Sequence, residues 1–509
     1  MSIIKEDSTD KSSKLEVHTS EVVSSSNLFE TREEEANLLL EMEQNPMLKK
    51  KVLWKIDLFI CTNLFLIAFL EFLDKNALGI AAVYTLKSDC KLVGNQYSTI
   101  ASIFYFGYLL GEFICFFTIP KVKIGKFVSC CLTIWGILLM CMAACNSFGS
   151  LAAVRFLLGI FEAAILPSFM IISSIWWTKS EQPLRSTLYF NTLAGILGGI
   201  FGHCIGLIHG KLSTWRYIFL IYGAVTVFYS CILFFILPDN IETAWFLKKK
   251  EKQIAYLRIV GNQTGTSHHK SEFKLYQVWE SLLDPKYYIT IAFIICQAIT
   301  NAGITNFNSL IIKGFGFSAL KTTLMGTPQA AVAMGGGIIV TALCMWIENV
   351  RCILWFLSCL PALAGSIMVG HINAKQNREA ALAGIYLMGF YNVPWCLMLA
   401  LTSSNTTGST KKTFMSVSVA VWYAVGNIIG PYFFKSSQAP YYKTGIHAMQ
   451  ASFCIMAFTG ILYYFTIFFQ NKRKRQQFAI EGSVDIITTE ADILQDLTDK
   501  ENIHFSYVY

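Results

Sequence analysis

The chain has 509 residues, 54% of them hydrophobic and only 15% charged, with a formal net charge of +8 at pH 7. Its apolar residues gather into runs of about 20 separated by short polar pieces, the pattern of an all-α polytopic membrane protein, which excludes a soluble globular enzyme and a disordered or fibrous chain. The 15 cysteines fall mostly inside apolar runs (Cys130, Cys131, Cys141, Cys145) without paired spacing, so they read as small buried hydrophobes and not as a disulfide framework.

Residues 1–50 are rich in Ser, Glu and Lys and are expected to form a disordered cytoplasmic tail. Within them Glu34–Leu39 has the spacing of an acidic dileucine sorting signal, or of a nascent amphipathic helix. No cleavable signal peptide precedes the first apolar run, which is long enough to serve as a signal anchor. Twelve spans are expected at 51–73, 96–117, 127–146, 151–177, 186–209, 215–237, 287–312, 322–346, 352–371, 379–401, 413–434 and 446–470. They divide into a first six-helix bundle (51–237), a linker (238–286), a second bundle (287–470) and a cytoplasmic tail (471–509). Lysines and arginines cluster at 49–51, 121–126, 248–252, 411–412 and 472–475, which by the positive-inside rule places both termini in the cytoplasm. Such runs read as topology determinants and not as a nucleic-acid surface.

Span 1 ends in FLEFLDKNALGIAA, with Glu71, Asp74 and Lys75 at or within its outer part. Adjacent opposite charges neutralise each other locally, or they simply end the helix at the interface. Span 2 holds Glu112, a proton site or a structural group, and Gly107 and Gly111 spaced for close helix contact. Span 4, LAAVRFLLGIFEAAILPSFMIISSIWW, carries Arg155 and Glu162 in otherwise apolar sequence. A charge at membrane depth costs several kcal/mol, so both need a partner or a purpose. Seven residues is about two helical turns, which puts both on one face about 10 Å apart. Trp176 and Trp177 are expected to anchor depth at the interface.

Span 5 carries Gly195, Gly198, Gly199, Gly202 and Gly206, and span 11 carries Gly426 and Gly430. Their matching positions suggest two related bundles packed through corresponding helices. His203 lies in that glycine face, as a titrating or a packing residue. The linker holds His268 and His269 without the spacing of a metal site, so no metal is expected. Its sequon at Asn262, like the one at Asn405, falls on the cytoplasmic side and should stay unmodified. The second bundle is poor in charge and holds amides instead: Gln297, Asn301, Asn306, Gln329, Asn392 and, in span 11, Asn427. This asymmetry suits a cavity in which one half handles charge and the other fits the neutral part of a solute.

Taken in order, FLDKNALG, YFGYLLGE, RFLLGIFEAAILPSF with WWTKSEQPLR after it, TWRYIFLIYGA, LPDNIETAWFLKKKE, TNFNSLIIKGFGFSALKTTL, SSNTTGSTKK, GNIIGPYFF and APYYKTG resemble the fungal allantoate permease-like transporters. These form part of the anion:cation symporter branch of the major facilitator superfamily, and the resemblance runs over about residues 54–475. It implies two six-helix bundles alternating access around a central site, and proton-coupled import of a small organic anion such as allantoate, ureidosuccinate or a vitamin carboxylate. It further implies that Asp74 and Glu162 carry the proton while Lys75, Arg155 and Tyr108 meet the anion; the amide pattern of the second bundle adds Asn301 and Asn392 as candidate binding groups. Glu112, His203, Gln329 and Asn427 are secondary candidates. Lys75 stands where the family usually has Arg, which keeps the charge and loses the planar bidentate fork. Ser409 replaces a residue that is often His. No cofactor beyond the coupling proton is expected, the partners are the solute and the bilayer, and the molecule is expected to be a monomer in the plasma membrane or, alternatively, in the endoplasmic reticulum or vacuole membrane. A transporter-fold nutrient receptor is the rival reading. A membrane enzyme has little support, since HExxH and GxSxG are absent and GFGFSALKTT lacks the glycine that a phosphate loop needs before its lysine.

Overall fold

Among the described residues of the computed structural model, eleven helices are long and apolar enough to cross a membrane. They are span 1 (Pro46–Val83), span 2 (Gln96–Thr118), span 3 (Ile124–Met142), span 4 (Phe148–Trp176), span 6 (Thr214–Ile236), span 7 (Pro285–Gly314), span 8 (Ala319–Cys344), span 9 (Arg351–His371), span 10 (Arg378–Ser404), span 11 (Ser409–Phe433) and span 12 (Lys443–Gln477). A shorter apolar helix, Leu193–Gly206, is span 5 and completes the twelve. The structure describes residues 32–178, 181–182, 185, 193–260, 274–347, 349–374, 376–481, 497–502 and 505–509. The first part of the expected span 5 (186–192) and the linker segment holding Asn262, His268 and His269 lie outside the described residues.

Span 1 extends well past its expected end at residue 73. It runs 38 residues, about 57 Å at 1.5 Å per residue, so Asp74 and Lys75 sit in the body of the helix. Charge ends an apolar run in sequence, but it does not end a helix whose charges have partners. Span 4 is broken once. A capping box between Ser147 and Ser150 starts its first half, Phe148–Glu162, and the second half resumes at Ile165–Trp176. Pro167 lacks the N–H that would bond the carbonyl four residues back, and the break falls directly after Glu162. Span 10 is interrupted in the same manner, with a 3₁₀ segment over Met388–Asn392 just before Pro394.

Within the first bundle, spans 2 and 4 touch backbone to backbone. A Cβ on Gly107 would lie 2.0 Å from the Phe156 carbonyl oxygen, and one on Gly159 would lie 2.0 Å from that of Phe104. Between bundles, span 2 packs on span 11 and span 5 on span 8. Gly195 and Gly199 serve this contact, since a Cβ on Gly199 would meet Thr327 Oγ1 at 2.3 Å, whereas Gly198 and Gly202 face Leu73 and Ile80 of span 1. Gly426 and Gly430 instead bring span 11 against span 7 in its own bundle, next to Ile295, Ala298 and Ala302.

Two terminal segments are ordered onto this frame. Arg32–Gln44, in the stretch whose composition suggests disorder, is helical; it buries Leu38 and Met42 and packs on the linker helix Lys249–Val260. Gln253 donates to Glu34 at 2.7 Å and Lys250 pairs with Glu41 at 2.7 Å. Trp176 and Trp177 are buried and do not face lipid: the Trp177 indole donates to Asp57 at 2.7 Å, and Arg185 grips the same carboxylate through two N–H groups. At the other terminus Asp499 is fully buried between Lys286 (2.9 Å) and Lys411 (2.6 Å), and it accepts a bond from the Tyr507 hydroxyl at 2.9 Å. Lys474 donates to the carbonyls of Asp499, Asn502 and Phe505. Burial opposes the Asp499 charge, but Lys286 and Lys411 outweigh it and hold the carboxyl down at about 2.

Replacing Gly159 by Leu should abolish the span 2–span 4 contact, read as loss of the monodisperse peak when the protein is extracted in detergent. Asp499→Asn removes one of two counter-ions from each lysine, since Glu280 stays 2.7 Å from Lys411 and Asp284 3.4 Å from Lys286, and should cost about 1–3 kcal/mol at neutral pH. A carboxylate held below its unfolded value of ~3.9 contributes stability that is complete above that value and fades as pH falls through its folded one. Scanning fluorimetry should therefore show a lower melting temperature for Asp499→Asn at pH 7, with the gap to the parent protein narrowing as pH falls from about 4 towards 2.

Candidate functional site

Span 1 presents two faces at its centre. Glu71 and Lys75 are one turn apart, and the Lys75 ammonium lies 2.5 Å from Glu71 Oε1. From span 4, Glu162 approaches the same ammonium at 3.3 Å; its own side chain is completely buried. That contact is an ion pair without hydrogen-bond geometry, and among the described residues neither Glu162 oxygen has a hydrogen-bond partner. Asp74, about 100° round the helix from Lys75, turns away to span 3, where the Trp135 indole donates to its Oδ2 at 2.8 Å. Arg155 acts on Asp74 electrostatically. It is buried, lies over the Phe104 ring at 6.0 Å, and keeps its Nε and Nη2 without hydrogen-bond partners among the described residues. The seven-residue spacing thus does set Arg155 and Glu162 on one face of span 4, where each addresses a different charge of span 1.

Glu71 and Lys75 open onto a cavity of about 280 Å³ between the bundles, walled also by Phe72, Tyr108, Trp395 and Tyr423. Its other lining residues, among them Ala68, Leu166, Ser416 and Ala420, lie towards the end of the molecule that carries both termini. At the opposite end the bundles are bonded together. Tyr97 donates to the Asn306 carbonyl at 2.8 Å and Ser102 to that of Ile428 at 2.8 Å, Lys313 donates to the carbonyl of Val83, and Ser436 donates to that of Gly94 at 2.5 Å. A Cβ on Gly79 would stand 2.6 Å from the Thr305 carbonyl oxygen. The cavity therefore opens on the terminal face and is closed opposite.

The second bundle contributes an amide cluster. Asn301 donates to Asn427 at 2.9 Å and accepts from the Tyr391 hydroxyl at 3.3 Å, while Asn427 donates to the carbonyl of Tyr423 at 2.9 Å. None of Asn301, Asn392 and Asn427 is among the residues lining the cavity, which the cluster borders through Tyr423. Tyr391, which bonds to Asn301, lies with Asn392 in the 3₁₀ segment Met388–Asn392, which advances about 120° per residue in place of 100° and so rotates the face that α-helical spacing would predict. Gln329 accepts from Asn308 at 2.6 Å and is buried, and His203 Nδ1 lies 2.9 Å from the Leu320 carbonyl oxygen, across the bundle contact. Glu112 lies one turn from Tyr108 and interacts with its phenol. Trp135, Tyr391, Trp395 and Tyr423 carry no distinctive sequence signal, as each is one aromatic residue in an aromatic-rich span. Glu71 was legible as the i−4 neighbour of Lys75 once the helix is known to continue. Among the described residues, no three His, Cys, Asp or Glu side chains group as metal ligands would.

Residues 64–431 match the family model described as Major Facilitator Superfamily. An allantoate permease of Saccharomyces cerevisiae is 32% identical, over 92% of this chain and 88% of its own length. A thiamine pathway transporter of the same yeast is 33% identical, over 94% and 89%, and an uncharacterised transporter of Schizosaccharomyces pombe is 36% identical, over 90% and 87%. Among solved structures, a D-xylose–proton symporter superposes with a TM-score of 0.57 at 12% identity, covering 80% of this chain and 96% of its own. A bacterial homologue of the human lysosomal transporter Spinster, inward-facing and occupied, gives 0.58 at 17% identity, over 80% and 96%.

The asymmetry of the cavity is open to chemical labelling. In a variant stripped of its native cysteines, a single cysteine in place of Ala420 should react rapidly with a hydrophilic maleimide, and one in place of Ser102 only slowly. Equal rates at the two positions would contradict the closed end.

Proposed function

Because the chain belongs to the Major Facilitator Superfamily, and is thus a multi-pass membrane transporter, we propose that it is a proton-coupled symporter importing a small organic anion by alternating access of its two bundles. The observation that carries this reading is the single ammonium of Lys75, shared between Glu71 and Glu162 at a cavity open on one face only. With both termini in the cytoplasm, as the positive-inside pattern favours, this is the inward-open state.

The cycle follows from the charges. In the outward-open state Glu162 takes a proton and loosens its hold on Lys75, whose ammonium then accepts the carboxylate of the solute. Tyr108 supplies a phenol beside it, and Asn301 with Asn427 offers amide groups to its neutral part. The bundles rock about the filled site until the terminal face opens. Glu162 then loses its proton to the cytoplasm and returns to Lys75, and the solute leaves by repulsion from the restored carboxylate. Asp74 and Arg155 are buried and act on each other electrostatically without direct contact, and the Asp74 Oδ1 and the Arg155 Nε and Nη2 groups, without hydrogen-bond partners among the described residues, are available to proton and anion in other states of the cycle. The reading involves no metal and no organic cofactor, no chemical conversion of the solute, and a monomer in the plasma membrane. Its solute class, a carboxylate such as allantoate, ureidosuccinate or a vitamin acid, draws support from the yeast allantoate permease among its relatives.

The test is uptake of labelled carboxylates, allantoate first, by yeast lacking its own permeases, at pH 5 and pH 7 and with and without a protonophore. Accumulation should be higher at pH 5 and collapse with the protonophore. A signalling receptor would instead alter transcription without accumulating label. Glu162→Gln should lose accumulation against a gradient while retaining exchange of internal for external label, and accumulation at the parental rate would rule Glu162 out as the proton site.

A further inference from the structure

Glu71 is closer to Lys75 than Glu162 is, at 2.5 Å against 3.3 Å, and its side chain, like that of Lys75, borders the cavity. If Glu162 alone were protonated, the ammonium would still be bound to Glu71, and the wall would present a neutral pair and not a cation. The surrounding charges sharpen the point. Asp74 on the same helix, Glu162 on span 4 and Glu71 itself make three carboxylates, against two cations, Lys75 and Arg155. The other polar groups that act on Glu71 or its partners are phenols, among them Tyr105 and Tyr108 of span 2, Tyr391 of span 10 and Tyr423 of span 11. Glu112 interacts with Tyr108 and is not among the leading electrostatic influences on Lys75, Asp74 or Glu162. The empty site with all its groups charged therefore carries one excess negative charge at membrane depth, where uncompensated charge is costly.

Resting on the symport reading, we propose that Glu71 is a second proton-accepting carboxylate, so that each monovalent anion enters with two protons and uptake is electrogenic. One proton neutralises Glu162 and the other Glu71. The ammonium, released by both, pairs with the anion, and the filled site is neutral. Two protons and one anion carry one net positive charge inward. Both protons come from the outer medium and leave to the inner one, and no bond other than O–H forms or breaks. Glu71 is a coupling residue that acts through Lys75, and its loss should change charge stoichiometry without removing proton coupling.

Two experiments on the full-length protein in proteoliposomes decide this. The first uses the proton as its only probe. Infrared difference spectra over a pH titration should show two protonated-carboxyl bands, one lost in Glu71→Gln and the other in Glu162→Gln; glutamine preserves the length of the side chain and its place in the helix. A Glu71→Gln spectrum identical to that of the parent overturns the proposal. The second imposes a potassium diffusion potential without a pH gradient and follows labelled allantoate. One net charge per cycle gives an accumulation limit of roughly 50-fold for an interior about 100 mV negative. The parent should respond to that potential. Glu71→Gln should not, though it should still accumulate label when the outside is acidic. A parent indifferent to potential, or a Glu71→Gln variant as sensitive as the parent, also overturns it. Absence of allantoate uptake under every condition counts against the solute reading alone, and the infrared titration still decides the role of Glu71.

Discussion

A lysine ammonium in the middle of a membrane span is the constraint around which the molecule is arranged. Alone it would cost several kcal/mol at that depth. Lys75 avoids this with a carboxylate one turn back on its own helix and another from span 4. Behind it Asp74 is steadied by Trp135 and Arg155. A lysine needs one counter-ion and this one has two; on the symport reading proposed above, that surplus lets it exchange a partner for a solute or a proton. The cavity reaches the lysine from one side only, which would give such an exchange a direction.

The backbone serves that arrangement through interruption and close approach. Pro167 and Pro394 break spans 4 and 10 next to the site, one directly after Glu162, the other beside Tyr391 and Trp395. Freed from regular helical rotation, these side chains can be aimed independently of the spans that carry them. Glycines do the reverse elsewhere and remove the side chains that would hold helices apart, within the first bundle between spans 2 and 4 and across the bundles between spans 5 and 8.

Much of this was legible in the sequence. Hydropathy alone places the spans, and the seven-residue spacing of Arg155 and Glu162 puts them on one face towards span 1. What escaped has identifiable causes. The end of span 1 was hidden because a hydropathy run stops at charge, whereas the helix continues to Val83. The bond of Tyr391 to Asn301 was hidden because a 3₁₀ segment rotates faces that an α-helical period keeps fixed. Trp176 and Trp177 looked like lipid-facing anchors, since an aromatic pair at a span end carries no sign of the Asp57 carboxylate that Trp177 meets inside the bundle. The cavity aromatics Trp395 and Tyr423 are invisible for a simpler reason: 14% of the chain is aromatic, so one more ring in a span distinguishes nothing.

The carbonyl contacts of Gly107 and Gly159 have a mechanical meaning as well. They rivet spans 2 and 4 together at the level of the cavity, so Tyr108 and Glu162 share one rigid plate. Under the proposed alternating access that plate keeps its internal dimensions, and the width that varies is the one measured across to Trp395 and Tyr423. On that reading solute size is gauged like a part in a vice, with a fixed jaw carrying Tyr108 and Glu162 and a travelling jaw faced with aromatic rings.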